Sequence, residues 1–125
     1  MLFRSKNVEV VEMHGVKKLD APSGTAMYTA DKLAAGDRTY NKQEVDEREL
    51  LKGARGASGP GGVRIHSLRL PGLISHQDVV FGSAGELFEI RHASFNTDCF
   101  LAGIRLAAKK IMGTKGFSQG LEKLL

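Results

Sequence analysis

A strand-like run joined to a helix-like run by a short polar loop is the feature that most constrains this fold. Residues 7–13 are rich in β-branched side chains and roughly alternate in polarity, which predicts a strand. Residues 24–35 carry an apolar stripe at helical spacing and end at Gly36, which predicts a helix that Ser23 can cap. The fold must therefore bring a strand end and a helix start to one loop.

This loop contains the groups that bind a small anion. A helix start leaves backbone N–H groups unpaired at the positive end of its dipole, so Gly24 and Thr25 can bind a carboxylate or phosphate oxygen. Lys18 can pair with the same anion, and His14 can act as a general acid because imidazole titrates near neutral pH. Each residue taken alone also has an ordinary structural explanation, so both interpretations stay open at this point.

The rest of the chain predicts more strands and a second helix. Residues 37–62 are charged and then glycine-rich, which predicts a long surface loop with a short helix around residues 43–51. A helix is predicted from about residue 97 to 112, with Asn96 as its cap. Strand-like runs lie at residues 63–70, 76–81 and 86–92, the last two forming a hairpin.

The apolar positions of the run at residues 63–70 change phase between Ile65 and Leu68. This change indicates either a β-bulge or a strand that is covered on both faces. An oligomer would supply the second cover.

Composition narrows the possible partners. The net charge is +4, but the lysines and arginines are scattered and tryptophan is absent, which favours a small acid over nucleic acid. No apolar run approaches the roughly 18 residues of a membrane span, and the first residues do not resemble a signal peptide. We therefore expect no membrane partner and a cytoplasmic location, or the plastid stroma if the source is a plant.

Cofactor and metal motifs are also missing from the sequence. His66, His76 and His92 share no metal-ligand spacing with Cys99, so no metal site is predicted. Cys99 is the only cysteine and is predicted to be a buried thiol on an apolar helix. Neither Gly-x-Gly-x-x-Gly nor a P-loop motif occurs, so the glycine-rich loop is not predicted to bind phosphates.

Four stretches together resemble one family, dihydrodipicolinate reductase, also called 4-hydroxy-tetrahydrodipicolinate reductase. The resemblance covers nearly the whole chain but only the C-terminal part of such enzymes. It rests on Val8 to Ala30, Leu50 to Gly56, Gly62 to Gly82 and Ile90 to Ser94.

The resemblance implies an NADPH- or NADH-dependent reduction of a cyclic dicarboxylate in lysine and diaminopimelate biosynthesis. In this scheme His14 matches the proton donor and Lys18 the substrate-binding lysine, while Gly24 and Thr25 match the carboxylate site. The nicotinamide cofactor would be bound by a separate dinucleotide-binding domain that precedes Met1 in the family.

The family also implies an α+β fold, with a mixed open sheet of about four strands and helices on one face. Four such sheets pack together in a homotetramer. Residues 1–95 would form the substrate-binding and oligomerisation domain, and residues 96–125 a helical segment that packs on the dinucleotide-binding domain.

Two positions depart from the family pattern. Gly15 stands where a second histidine is usual, and Thr97 stands where an arginine is usual. Losing one charge-assisted hydrogen bond costs about 1.5–3 kcal/mol, so a weakened enzyme is expected if both are needed. The alternative interpretation is a non-catalytic homologue that serves as an oligomeric scaffold or a small-dicarboxylate binder.

Overall fold

The predicted strand-loop-helix segment is present, with a strand at Asn7–His14 (β1) and a helix at Gly24–Ala34 (α1). The computed structural model describes residues 5–42 and 47–125. The chain divides into two units, one ending at Ala93 and the other spanning Ser94–Leu125. The assignment of residues 1–95 and 96–125 to two functional domains stays a prediction.

The first unit is built on a mixed sheet of five strands in the order β2-β3-β1-β4-β5. Strand β1 is parallel to β3 and antiparallel to β4. The α+β class and the mixed sheet are confirmed, and the additional strand β2 lies within the predicted loop. The remaining strands are β2 (Ala57–Ser58), β3 (Arg64–Arg69), β4 (Ser75–Ser83) and β5 (Glu86–Ser94).

Alternation along β1 determines which face of the sheet is covered. Val8 and Val10 are buried and pack with Ala26 and Ala30 of α1, whose small side chains let the helix lie close to the sheet. Fully burying one valine side chain stabilises a fold by about 1.5–3 kcal/mol. The buried cluster consists of Val8, Val10, Ala26, Ala30, Val63, Ile65 and Val79.

The opposite side of the sheet, called the open face below, also carries apolar side chains. Strand β3 pairs residue by residue with β1 from Arg64 to Arg69, so the phase change in its sequence is not a bulge. Leu68 is instead 36% exposed on the face opposite α1, so β3 has apolar side chains on both faces. Cover of the second face by another copy stays a prediction. By register and alternation the open face includes Val11, Met13, Leu68 and Val80. Leu87 lies on the same face, because Arg91 of β5 pairs with Asp78 there and Leu87 is four residues before Arg91 on the strand.

The loop after α1 differs from its prediction. Of the short helix expected around residues 43–51, residues 43–46 lie outside the described residues, and residues 47–51 are not helical. The Glu49 carboxylate instead accepts hydrogen bonds from the backbone N–H groups of Gly53 and Arg55, at 3.1 and 3.0 Å. Such side-chain to backbone bonds compete with helix formation.

The second unit contains the predicted helix. Helix α2 spans Leu101–Lys110, between 3-10 turns at Thr97–Phe100 and Ile111–Gly113. Asn96 Oδ1 accepts the N–H of Asp98 at 3.0 Å, as expected of a cap. The last turn of α2 is basic and contains Lys109 and Lys110, where cations suit the negative end of the helix dipole.

The prediction of a buried Cys99 was wrong. The thiol is exposed in the 3-10 turn before α2, where its Sγ donates to the Asn96 carbonyl at 3.1 Å. The apolar stripe of the predicted helix is exposed as well, with Phe100 at 45% and Ile104 at 59%. The apolar pattern of this helix therefore does not by itself predict that a side chain on it is buried.

Candidate functional site

The helix start is formed as the sequence predicts. The backbone of Ser23 is extended, and its Oγ accepts the N–H of Ala26 at 3.2 Å. Gly24 and Thr25 are exposed, and within the described residues their backbone N–H groups have no acceptor. The positive end of α1 therefore offers two donors to an anion.

His14 is held by a buried carboxylate. Its Nδ1 lies 2.5 Å from Oε2 of Glu12, which is two residues earlier on the same side of β1. Glu12 is completely buried, and His14 retains 14% side-chain exposure. In the part of the chain that the structure describes, Nε2 of His14 makes no hydrogen bond, so it is the ring nitrogen left for a ligand.

Arg69, at the end of β3, completes the surroundings of Glu12. Its guanidinium donates to Glu12 Oε1 at 2.7 Å and to Oε2 at 3.0 Å. Burial raises the pKa of the Glu12 carboxyl, but hydrogen bonds from Arg69, Ser67 and His14 lower that pKa by more, leaving it below its ordinary value. Glu12 is therefore an ionised, buried carboxylate with paired partners.

The same guanidinium reaches the loop that follows β1. Its second terminal nitrogen also donates to the backbone carbonyl of Asp20 at 2.8 Å. The Asp20 carboxylate in turn accepts the Lys18 ammonium, and this hydrogen bond lowers the pKa of Asp20 below its ordinary value. Arg69 thus contacts both the carboxylate that holds His14 and the segment that carries Lys18.

His14 and Lys18 line one pocket of about 410 Å³. The turn between β3 and β4 forms its other wall, where a β-carbon added at Gly15 would lie 3.0 Å from the Leu73 carbonyl oxygen. Gly24 and Thr25 are not among the residues that line it. The pocket is lined by His14, Gly15, Val16, Lys17, Lys18, Pro71, Gly72, Leu73 and Ile74.

The structure thus brings together two of the predicted site residues, His14 and Lys18, and leaves Gly24 and Thr25 exposed at the helix start nearby in the chain. Glu12 and Arg69 were missed. Glu12 had a sequence signal, since an acidic residue two positions before His14 on a strand must share its face. Arg69 had none, because its contact depends on the pairing of β1 with β3.

No group of metal-ligating side chains occurs among residues 5–42 and 47–125. In the same described ranges, no helix has the length and apolar character needed to cross a bilayer.

Comparison with known proteins gives one consistent result. The family model for the C-terminus of dihydrodipicolinate reductase matches residues 1–125. A 4-hydroxy-tetrahydrodipicolinate reductase of a Synechocystis species is 50% identical over 119 residues, 95% of this chain and 43% of that protein. The corresponding protein of Gloeobacter violaceus is 47% identical over the same number of residues, 95% of this chain and 44% of that protein.

A solved structure agrees with these sequences. Dipicolinate-bound dihydrodipicolinate reductase from Paenisporosarcina sp. TG-14 matches with a TM-score of 0.82 at 45% identity. The match covers 97% of this chain and 45% of that one. The chain therefore spans less than half the length of these relatives.

Proposed function

From the premise that this chain belongs to the dihydrodipicolinate reductase family, as its C-terminal domain, we propose that it is the substrate-binding part of a 4-hydroxy-tetrahydrodipicolinate reductase. Its ligand would be a small cyclic dicarboxylate. Support for the ligand class comes from the solved relative, whose structure holds dipicolinate.

One observation carries this proposal: His14 lies in a pocket with Lys18 and is held through Nδ1 by a buried carboxylate. A histidine oriented in this way offers Nε2 to a ligand, and the nearby cation favours a ligand that is negatively charged. The exposed N–H groups of Gly24 and Thr25 supply a place for a second carboxylate.

In the proposed reaction, Lys18 pairs with one carboxylate while Gly24 and Thr25 bind the other. His14, when protonated, donates a proton from Nε2 to the ring atom beside the carbon that is reduced. Glu12 stabilises the imidazolium before that transfer. In this family the hydride comes from a pyridine nucleotide. The sequence contains no Gly-x-Gly-x-x-Gly, so the residues here do not fit that cofactor and we assign none of them to it.

We also propose that the domain self-associates through the open face. Leu87 is 63% exposed there, and Leu68 on β3 contributes further apolar surface. An apolar patch that spans several strands is typical of a protein interface. The family resemblance favours a tetramer.

Calorimetric titration of the chain with pyridine-2,6-dicarboxylate tests the proposal. We expect saturable binding of one ligand per chain, and weaker binding of pyridine-2-carboxylate because it has only one carboxylate for the two predicted sites. A folded chain that takes up no dicarboxylate at millimolar concentration would contradict the proposed function.

A second candidate is a non-catalytic scaffold, which the position of Gly15 favours. Restoring a histidine there would require the turn at Leu73 to move by a few tenths of an ångström, since even a β-carbon comes within 3.0 Å of its carbonyl. The two candidates differ in the same titration, because a pure scaffold would self-associate without binding the dicarboxylate.

A further inference from the structure

Hydrogen bonds join the side chains of Glu12, His14 and Arg69, and these bonds restrain the Glu12 carboxylate as well as the His14 ring. Oε2 of Glu12 is shared by His14 and Arg69, and Oε1 accepts a further hydrogen bond from Arg69. Arg69 also donates to the Leu68 carbonyl at 2.7 Å, which further restrains the guanidinium. The carboxylate therefore cannot rotate without breaking several hydrogen bonds.

An ionised carboxylate only accepts hydrogen bonds, so Nδ1 of His14 must be the nitrogen that carries a hydrogen in this contact. The neutral imidazole is then the Nδ1–H tautomer, and Nε2 has a free lone pair. Adding one proton makes Nε2 a donor toward the pocket. The buried pair thus decides which nitrogen of His14 gains and releases the proton.

We propose that Glu12 and Arg69 are positioning residues, with Glu12 fixing the tautomer of His14 and Arg69 holding both Glu12 and the Lys18 loop in place. This inference rests on the proposed function for its meaning in catalysis. Neither residue reaches the pocket lining, so both act through His14 and Lys18. The arrangement makes a specific spectroscopic prediction.

Glu12→Gln should invert the tautomer of His14. Arg69 only donates, and its guanidinium contacts both carboxylate oxygens, so the amide oxygen of the glutamine should take the place of Oε1, where the guanidinium nitrogen is nearer, at 2.7 Å against 3.0 Å for Oε2. The amide NH₂ then points at His14, whose Nδ1 must accept. The neutral ring is thereby converted to the Nε2–H tautomer with almost no change in side-chain volume.

Arg69→Lys should act differently. A lysine keeps the positive charge but has only three N–H groups for the four bonds that the guanidinium makes, and the charged Glu12 is favoured over the Asp20 carbonyl as a partner. Glu12 still accepts from His14, and the Nδ1–H tautomer is retained. The loop that carries Lys18 then loses the hydrogen bond to its Asp20 carbonyl, so the affinity for pyridine-2,6-dicarboxylate should fall by at least threefold.

The test is a long-range ¹H–¹⁵N correlation spectrum of the histidine-labelled chain at pH 8.5, with the four histidines separated by a His14→Gln variant. We expect Nδ1–H for His14 in the parent chain, Nε2–H in Glu12→Gln and Nδ1–H in Arg69→Lys. Arg91→Lys is the matched control, because Arg91 forms a similar fork with Asp78 on the open face. It should change neither the tautomer nor the affinity.

The Nε2–H tautomer in the unmodified chain would overturn the inference without any variant, and so would an unchanged tautomer in folded Glu12→Gln. If Arg69→Lys and Arg91→Lys lost affinity equally, Arg69 would only stabilise the fold and would not position the Lys18 loop. The tautomer is measured without ligand. A chain that fails to bind dicarboxylate but shows the expected tautomers would therefore contradict the proposed function and not this inference.

Discussion

The ammonium group of Lys18 donates to both carboxylate oxygens of Asp20, at 2.8 and 3.0 Å. The lysine proposed to bind the substrate is therefore already paired with an acid two residues away. An incoming carboxylate has to replace Asp20 as its partner or share the ammonium with it. The Asp20 carboxylate thus competes with the ligand for the Lys18 ammonium.

Asp20→Asn should consequently tighten the binding of pyridine-2,6-dicarboxylate. The Asp20 carboxylate is 60% exposed, and exposed ion pairs contribute little, so the expected gain is about two- to fivefold in affinity. Calorimetry at constant ionic strength measures the change. Asp31→Asn, on the exposed side of α1, is the control for the loss of one negative charge. Weaker binding by Asp20→Asn would show that Asp20 orients Lys18 and does not compete with the ligand.

Lys18→Met should weaken dicarboxylate binding strongly. Loss of one hydrogen bond to a charged group costs about 1.5–3 kcal/mol, which corresponds to roughly ten- to a hundredfold in affinity. Lys17→Met is the matched control, since Lys17 is exposed and neighbours Lys18 in the same pocket lining. If the two variants lose affinity equally, the pocket attracts anions by general charge and not through Lys18.

Ser23→Ala should destabilise the first unit by removing the cap of α1. Ser23 is 3% exposed, and its Oγ satisfies the Ala26 N–H, so the expected loss in free energy of unfolding is about 0.5–2 kcal/mol. Urea denaturation measures this loss. Ser58→Ala, at an exposed position of β2, should leave the free energy of unfolding within about 0.5 kcal/mol of the parent chain. If Ser23→Ala left the free energy of unfolding unchanged, the Ser23 cap would not stabilise the start of α1.

Local patterns predicted the elements around the site, but not the contacts that organise it. The alternation in β1 and the cap at Ser23 are properties of neighbouring residues, and they were recovered. The Arg69 contact joins residues 57 positions apart and exists only because β1 and β3 pair in parallel. The prediction for Cys99 was wrong for a related reason. Burial of its thiol depends on what covers an apolar helix face, and the sequence pattern of that helix does not specify the cover.

Stability should fall in acid partly through the pair of Asp78 and Arg91. The hydrogen bond from Arg91 holds the pKa of Asp78 below its ordinary value, which is about 3.9 for a free aspartate. Because the folded pKa is the lower one, the ionised pair stabilises fully above the unfolded pKa. That contribution disappears as pH falls through the folded pKa. Asp78→Asn should therefore cost about 0.5–1 kcal/mol in urea denaturation at pH 7 and much less at pH 2.5. An equal cost at both pH values would mean that the carboxylate charge does not matter.

The open face predicts how the chain behaves in solution. Leu87 is 63% exposed on that face, so burying it against another copy removes apolar surface from water, whereas a glutamate there would have to be desolvated. Sedimentation at tens of micromolar should show an oligomer for the parent chain and a monomer for Leu87→Glu. Leu51→Glu is the control, because Leu51 is 77% exposed in the loop before β2 and not on the sheet. A monomeric parent chain, or equal dissociation of both variants, would rule out the open face as the interface.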